Sequence, residues 1–293
     1  KQFIMKLRLI PAILIILVVS LNSCKEKEKT SDMNILYIHH STGGVIWQGE
    51  KASLFTRAVK RVSPNLADKL GSQAKLPALF EQYNKDKGKN YLITETSFPK
   101  AAPYGWHNYP YDYYNIWVKN AGNEPYMEEP TLEMLTKQYQ VIVFKHCFPV
   151  SDIQADKDSA DINSDYKSLG NYKLQYDALR DKLHEFPNTK FIVWTGAALA
   201  KGAVSEESAT RAREFFNWVK QEWDLPDDNI HIWDFYELET EGGLYLKEEY
   251  ATSDTDSHPN TAFASKAVGL IFNRIVDVIE NNGTGTNLKG EKI

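Results

Sequence analysis

Five short apolar runs, rich in β-branched and aromatic residues, recur along this 293-residue chain at positions 34–38, 91–94, 141–144, 191–194 and 230–233. Stretches with helical spacing lie between or after them, at 76–84, 131–139, 205–223 and 261–279. The clearest helix sets Tyr172, Tyr176, Leu179, Leu183 and Phe186 on one face. The 205–223 stretch opens Ser205-Glu206-Glu207-Ser208, a capped start with acidic residues in its first turn. Strands separated by helices run mostly parallel, and such sheets are covered on both faces. The expectation is an α/β fold: a mostly parallel five-stranded sheet in a three-layer α/β/α sandwich. In sheets of this kind ligands sit beyond the carboxyl ends of the strands.

The first residues follow another logic. Met5, Lys6 and Arg8 lead into an apolar run over 9–21, followed by Asn22-Ser23-Cys24. A charged start, a short apolar core and a small residue before the cut describe a secretory signal. The run is shorter than the about 20 apolar residues that span a bilayer. Leu21-Asn22-Ser23-Cys24 resembles the bacterial lipobox, which makes Cys24 the lipidated first residue of an exported protein. Lipid alone would then hold the protein to the cell envelope, at its periplasmic face or on the cell surface. The expected division is a signal over 1–24, a charged tether over 25–33, one folded domain over 34–282 and a flexible tail over 283–293.

Only Cys24 and Cys147 are present. With Cys24 acylated, Cys147 has no partner in the chain and no internal disulfide is expected. The net charge of −5 comes with no basic stripe and no zinc-type cysteine spacing. Nucleic acid is therefore excluded as a partner.

Two segments carry the chemistry. The first strand stops at His39-His40-Ser41-Thr42-Gly43-Gly44, and the last helix is preceded by Asp254-Thr255-Asp256-Ser257-His258-Pro259-Asn260. Serine becomes a nucleophile when a base takes its proton, and the base works best when a third group orients it. Each segment alone has a plainer reading. Ser-Thr-Gly-Gly after a strand suits a helix cap or an anion-binding helix start, and Asp-x-His-Pro is a common turn. Their joint placement points to acyl transfer. Of His39 and His40, one packs beside the strand and the other flanks the nucleophile. Adjacent histidines rarely ligate one metal, and no carboxylate partner is obvious, so no metal and no cofactor are expected.

Ser41 after the first strand and His258 in an Asp-containing turn before the last helix resemble the GDSL-type (SGNH) hydrolase superfamily. The form matched is a bacterial lipoprotein one, with His-His-Ser-Thr-Gly in place of the usual Gly-Asp-Ser. The resemblance spans the mature domain and implies a flavodoxin-like sandwich. It also implies a serine esterase or deacylase, with Ser41 as nucleophile and His258 as base. Thr255 stands where the family usually has its orienting aspartate, so the carboxylate is Asp256 or Asp254. The family's Gly-x-Asn-Asp block is replaced by Lys145-His146-Cys147-Phe148-Pro149. Cys147 takes the place of the asparagine whose amide helps hold the oxyanion, and a thiol is a weak donor. Other candidates for the oxyanion site and pocket are the Ser41 backbone N–H, Lys145, His40 and Thr195-Gly196. Gly105 and Gly122 compete for the family's second-block glycine.

Segments 97–129 and 151–168 exceed ordinary connections and read as loops or short irregular helices at the functional edge. The first holds Trp106, Tyr109, Tyr111, Tyr113, Tyr114 and Trp117. These rings form either a stacking platform for sugars, with Trp106, Tyr109 and Tyr111 as contacts, or a satellite core under a long loop. The reading is an exported serine esterase acting on acylated carbohydrate or another small ester. Its rival is a non-catalytic glycan-binding lipoprotein of the same fold, which the missing asparagine favours.

Overall fold

The structure is a computed structural model that describes residues 31–49, 74–100, 102–104, 107–157 and 159–293. Cys24, the signal segment and most of the tether lie outside the described residues, as do Gly105 and Trp106. Strands β1 (Met33–His39), β2 (Tyr91–Ser97), β3 (Val141–Phe144), β4 (Lys190–Trp194) and β5 (Ile230–Trp233) form one sheet in the order β2-β1-β3-β4-β5. Every neighbouring pair is parallel. This is the flavodoxin-like order, and the fold is the expected α/β sandwich.

The helices are α1 (Ser41–Gln48), α2 (Lys75–Lys87), α3 (Pro110–Tyr113, running on as a wider π turn over Tyr114–Lys119) and α4 (Leu132–Leu135). They continue with α5 (Leu169–His184), α6 (Glu206–Trp218, extended by a π turn over Val219–Trp223), α7 (Phe235–Thr240) and α8 (Thr261–Asn281). Successive strand residues point to opposite faces, so each strand feeds both cores. Leu36, Ile38, Ile142, Phe144 and Val193 pack with Tyr172, Tyr176 and Leu179 of α5 and Phe215 of α6. Ile35, Tyr37, Val143, Ile192 and Trp194 pack on the other side with Ile46 of α1, Phe80 of α2 and Val268, Ile271 and Ile275 of α8.

The aromatic stretch contains the short, partly irregular helix α3, one of the two forms expected for it. Two expectations are corrected. The helix read over 131–139 shortens to α4, because the chain must already join the sheet: the Gln140 N–H donates to the Asn34 carbonyl at the start of β3. Residues 283–293 are not a loose tail. The Asp234 N–H donates to the Leu288 carbonyl and the Trp233 indole to the Lys289 carbonyl. Gly290 sits at φ +85°, where a Cβ would stand 2.1 Å from the Leu270 carbonyl oxygen, so the segment closes on α8 only through a glycine.

His146, just past β3, shows what packing at the strand ends costs. Its ring is fully buried against Tyr113 at 4.4 Å and Tyr176 at 5.3 Å, and neither nitrogen has a hydrogen-bond partner among the described residues. Burial, with Lys145 beside it, pushes its pKa down from 6.5 to about 3. Below pH 6.5 the unfolded chain therefore takes up a proton that the folded one refuses. The stability linked to this group is full above pH 6.5. It drains by about 1.4 kcal/mol per pH unit as the pH falls. Replacing His146 with Phe is expected to flatten urea-unfolding stability between pH 6.5 and about 4. An unaltered pH slope in that variant would show that the imidazole is not held neutral.

Candidate active site

β1 delivers the serine. His40 is the extended N-cap residue of α1, and Ser41 is the first residue of the helix. The helix turns back over its own strand so closely that a Cβ on Gly43 would stand 2.3 Å from the Cβ of His39. The Tyr37 hydroxyl donates to the Gly43 carbonyl at 3.1 Å and fixes the turn from within the core. His39 Nε2 meets Glu95 on β2 at 2.7 Å. His40 is 3% exposed, and its Nε2–H donates to the Pro99 carbonyl at 2.6 Å. The ring is thus turned into the loop after β2 rather than toward a pocket, and burial lowers its pKa.

The last loop delivers the histidine. Asp256 Oδ1 lies 2.6 Å from His258 Nδ1 and also accepts the His258 backbone N–H at 3.0 Å. These two bonds, the side-chain one first, hold the Asp256 carboxyl below its usual range. An ionised carboxylate accepts the Nδ1 proton, which leaves Nε2 as the free base. Asp256 is therefore the carboxylate that meets His258. Asp254 instead lines a separate small cleft with Lys201 and Glu248. The loop is pinned on both sides. Thr252 donates twice to the His258 carbonyl, and the Ala200 N–H donates to Ser257 Oγ. Asn260 then caps α8 by accepting the Phe263 N–H at 3.0 Å.

Ser41 and His258 converge on one corner. Ser41 Oγ lies 3.6 Å from Cys147 Sγ, and the ring of the next residue, Phe148, stands edge-on to His258 at 5.3 Å. The two helices that start at these loops also touch, with Ser265 Oγ of α8 donating to the Gly49 carbonyl at 2.6 Å. Ser41 and His258 are not hydrogen-bonded to each other among the described residues. Base-to-nucleophile bonds commonly tighten only when substrate arrives.

Several expected oxyanion and pocket groups are already committed elsewhere. The Cys147 N–H donates to the Asn108 carbonyl at 2.7 Å, and the Thr195 N–H to Trp233 at 3.1 Å. Lys145 is 0% exposed and its Nζ donates to the His146 carbonyl, so it faces the interior, and burial lowers its pKa. The Gly122 N–H donates to Glu133 on α4. The Gly43 and Gly44 N–H groups both turn to the His40 carbonyl. The first N–H groups of α1, at Ser41 and Thr42, have no intrahelical acceptor by helix geometry. They belong to the serine itself and to the residue after it.

The described rings of the aromatic loop pack as core rather than platform, with Trp106 outside the described residues. Tyr113 and Trp117 are fully buried against Phe144 and Phe98. Tyr109 is 5% exposed, carries the Lys167 ammonium 5.5 Å above its ring, and stacks on the half-buried Tyr111. A loop this long needs a core of its own. The sequence reading missed Asn108 and Phe148. Asn108 sits at φ +46° and ties its side chain to Phe98 and Tyr113 while its carbonyl clamps Cys147. An asparagine ahead of Tyr109-Pro110 was the one available signal, since asparagine tolerates this conformation.

No group of three or more metal-ligating side chains is gathered among the described residues. No family model and no curated protein matches the chain. Among solved structures it is similar to a carbohydrate esterase whose active site is described as displaying divergent catalytic and non-catalytic binding functions. The match has a TM-score of 0.41 and 13% identity over 86% of this chain and 70% of that one. A likeness that loose carries no argument, and the case rests on the residues.

Gly43→Ala tests the close approach that aims the serine. The added carbon must displace either His39 or the start of α1. The expected result is loss of Ser41 reactivity toward a serine-directed phosphonate in a protein whose far-UV dichroism is intact. Full reactivity would show that the glycine is not needed for the aim.

Proposed function

We propose that the chain is a serine esterase that removes acyl groups from a carbohydrate. The observation that carries it is the convergence of Ser41 and the Asp256–His258 pair on the Cys147–Phe148 corner. That corner lies at the edge where parallel α/β sheets place their ligands.

In this reading His258 Nε2 takes the Ser41 Oγ proton while Oγ bonds to the ester carbonyl carbon. The tetrahedral oxyanion accepts hydrogen bonds from the first N–H groups of α1, whose positive dipole end also faces it. As the intermediate collapses, the carbon–oxygen bond to the sugar breaks and His258 returns its proton to the leaving alcohol. Water, deprotonated by His258, then releases the carboxylic acid and restores Ser41. Asp256 holds the imidazole in the required tautomer and stabilises its charged form. Export and lipid attachment through Cys24 belong to the same proposal, supported by the sequence of residues 5–24.

The decisive experiment is fluorophosphonate labelling of the full chain, which needs an activated serine and no knowledge of the substrate. Labelling is expected in wild type and absent in Ser41→Ala. In His258→Ala its rate should fall by about 10²–10⁴, the usual contribution of a general base. Asp256→Ala should slow it less than His258→Ala does. No labelling of folded wild-type protein would sink the esterase reading and leave the glycan-binding one.

A further inference from the structure

The two long segments, 97–129 and 151–168, meet in a cleft of about 430 Å³ that the catalytic reading does not use. Its walls include His107, Tyr109, Asp152, Gln154, Asp165 and Lys167. That volume falls within the range of small-ligand sites. The floor is built rather than incidental. Ile153 is fully buried, and its carbonyl accepts the Arg211 Nε–H at 2.7 Å from α6. The Gln154 N–H donates to the Lys167 carbonyl at 2.8 Å, which locks the two sides of the segment together. The Gln154 amide donates to one carboxylate oxygen of Asp152 at 3.2 Å, which holds that side chain at the wall.

The cleft adjoins the candidate active site through two short paths. His107 and Tyr109 flank Asn108, whose carbonyl accepts the N–H of Cys147, and Cys147 Sγ lies 3.6 Å from Ser41 Oγ. On the other side the 3₁₀ turn Phe148–Ser151 leads from Cys147 to Asp152. A 3₁₀ turn rises about 2 Å per residue, so this wall begins on the order of 10 Å from the Cys147 backbone. The cleft is thus joined, by a few residues of chain, to the cysteine that touches Ser41 Oγ.

We infer that this cleft is the subsite for the sugar part of the substrate and that it selects neutral sugars over acidic ones. The walls offer carboxylate and amide acceptors for hydroxyl groups, an ammonium donor and the rim of a phenol. Two carboxylates face one lysine, so the lining has an excess of negative charge. A uronate carboxylate would meet Asp152 and Asp165, and like charges brought together at a binding surface are strongly disfavoured. The ester-cleaving role rests on the proposed function, whereas the binding does not.

The test is calorimetric titration of the full chain carrying Ser41→Ala with xylotriose and with trigalacturonate. Xylotriose is expected to bind, and trigalacturonate at least about tenfold more weakly. Adding Asp152→Asn and Asp165→Asn should weaken xylotriose binding and strengthen trigalacturonate binding, leaving Lys167 unopposed. A misfolded variant cannot produce that gain. The inference is overturned by no xylotriose binding at about 10 mM, by equal affinity for the two sugars, or by affinities that the paired substitution does not move. Because Ser41→Ala cannot turn over an ester, these outcomes are independent of the labelling experiment. Failure of one reading is thus separable from failure of the other.

Discussion

All five strands run in one direction, and most of the molecule's organisation follows from that. A parallel pair cannot be closed by a tight turn, so the chain must cross back over a face of the sheet between strands. Each crossover leaves from the same edge. His40-Ser41, the Phe98-Pro99 corner, the 145–149 segment, Thr195 and Asp234 are therefore brought to one rim although as many as 194 residues separate them. The rim is where backbone leaves regular hydrogen bonding, and side chains there take over the pairing. Thr195 Oγ1 donates to Asp234 Oδ1 at 2.9 Å, and Lys220 Nζ donates to Asp234 Oδ2 at 2.8 Å. The serine and the histidine inherit a position that the topology prepares.

Strands β3, β4 and β5 were legible because they are buried on both faces and read as continuous apolar runs; 141–144 and 230–233 coincide with β3 and β5, whereas β2 alternates and turns polar after Ile93. Helix α5 was legible because its apolar residues repeat on one face over four turns. Of the candidate site, Ser41 and the Asp256–His258 pair could be singled out because each lies in a single short segment. What could not be read were contacts between distant segments. The seat of Phe148 against His258, and the clamp from Asn108 to Cys147, each join loops whose sequences carry no trace of the other. The aromatic loop left two readings open. Rings with polar tips serve a platform and a core equally well, and only the packing of Tyr113 and Trp117 on Phe144 decides between them.

Behind the rim lies an unusually polar stretch of interior. Lys145 and Glu239 are both fully buried, and burial drives each toward its uncharged form: the lysine down, the glutamate up. The Ala198 N–H donates to one Glu239 oxygen at 2.6 Å, and Lys145 Nζ donates to the His146 carbonyl. Neither bond is needed to fill the core. Both anchor backbone just past β3 and β4, where the sheet's own ladder has ended. Buried polar groups are costly unless bonded, and their value here is in fixing where the chain leaves the sheet.

Under the proposed esterase reading, Cys147 stands where the superfamily that the sequence resembles carries an asparagine. An asparagine amide there would offer a strong donor to an oxyanion, and a thiol offers a weak one. In this chain the Cys147 sulfur instead rests against Ser41 Oγ, and its N–H is spent on Asn108. In the proposed mechanism the electrostatic burden then falls on the start of α1. Gly43 lets that helix lie close against His39 of β1, with Ser41 as its first residue. A helix start supplies both donors and a positive dipole end, fixed before any substrate arrives. In that proposal Gly43 and Cys147 act together: the first lets the helix start close to β1, and the second leaves the oxyanion to that helix start.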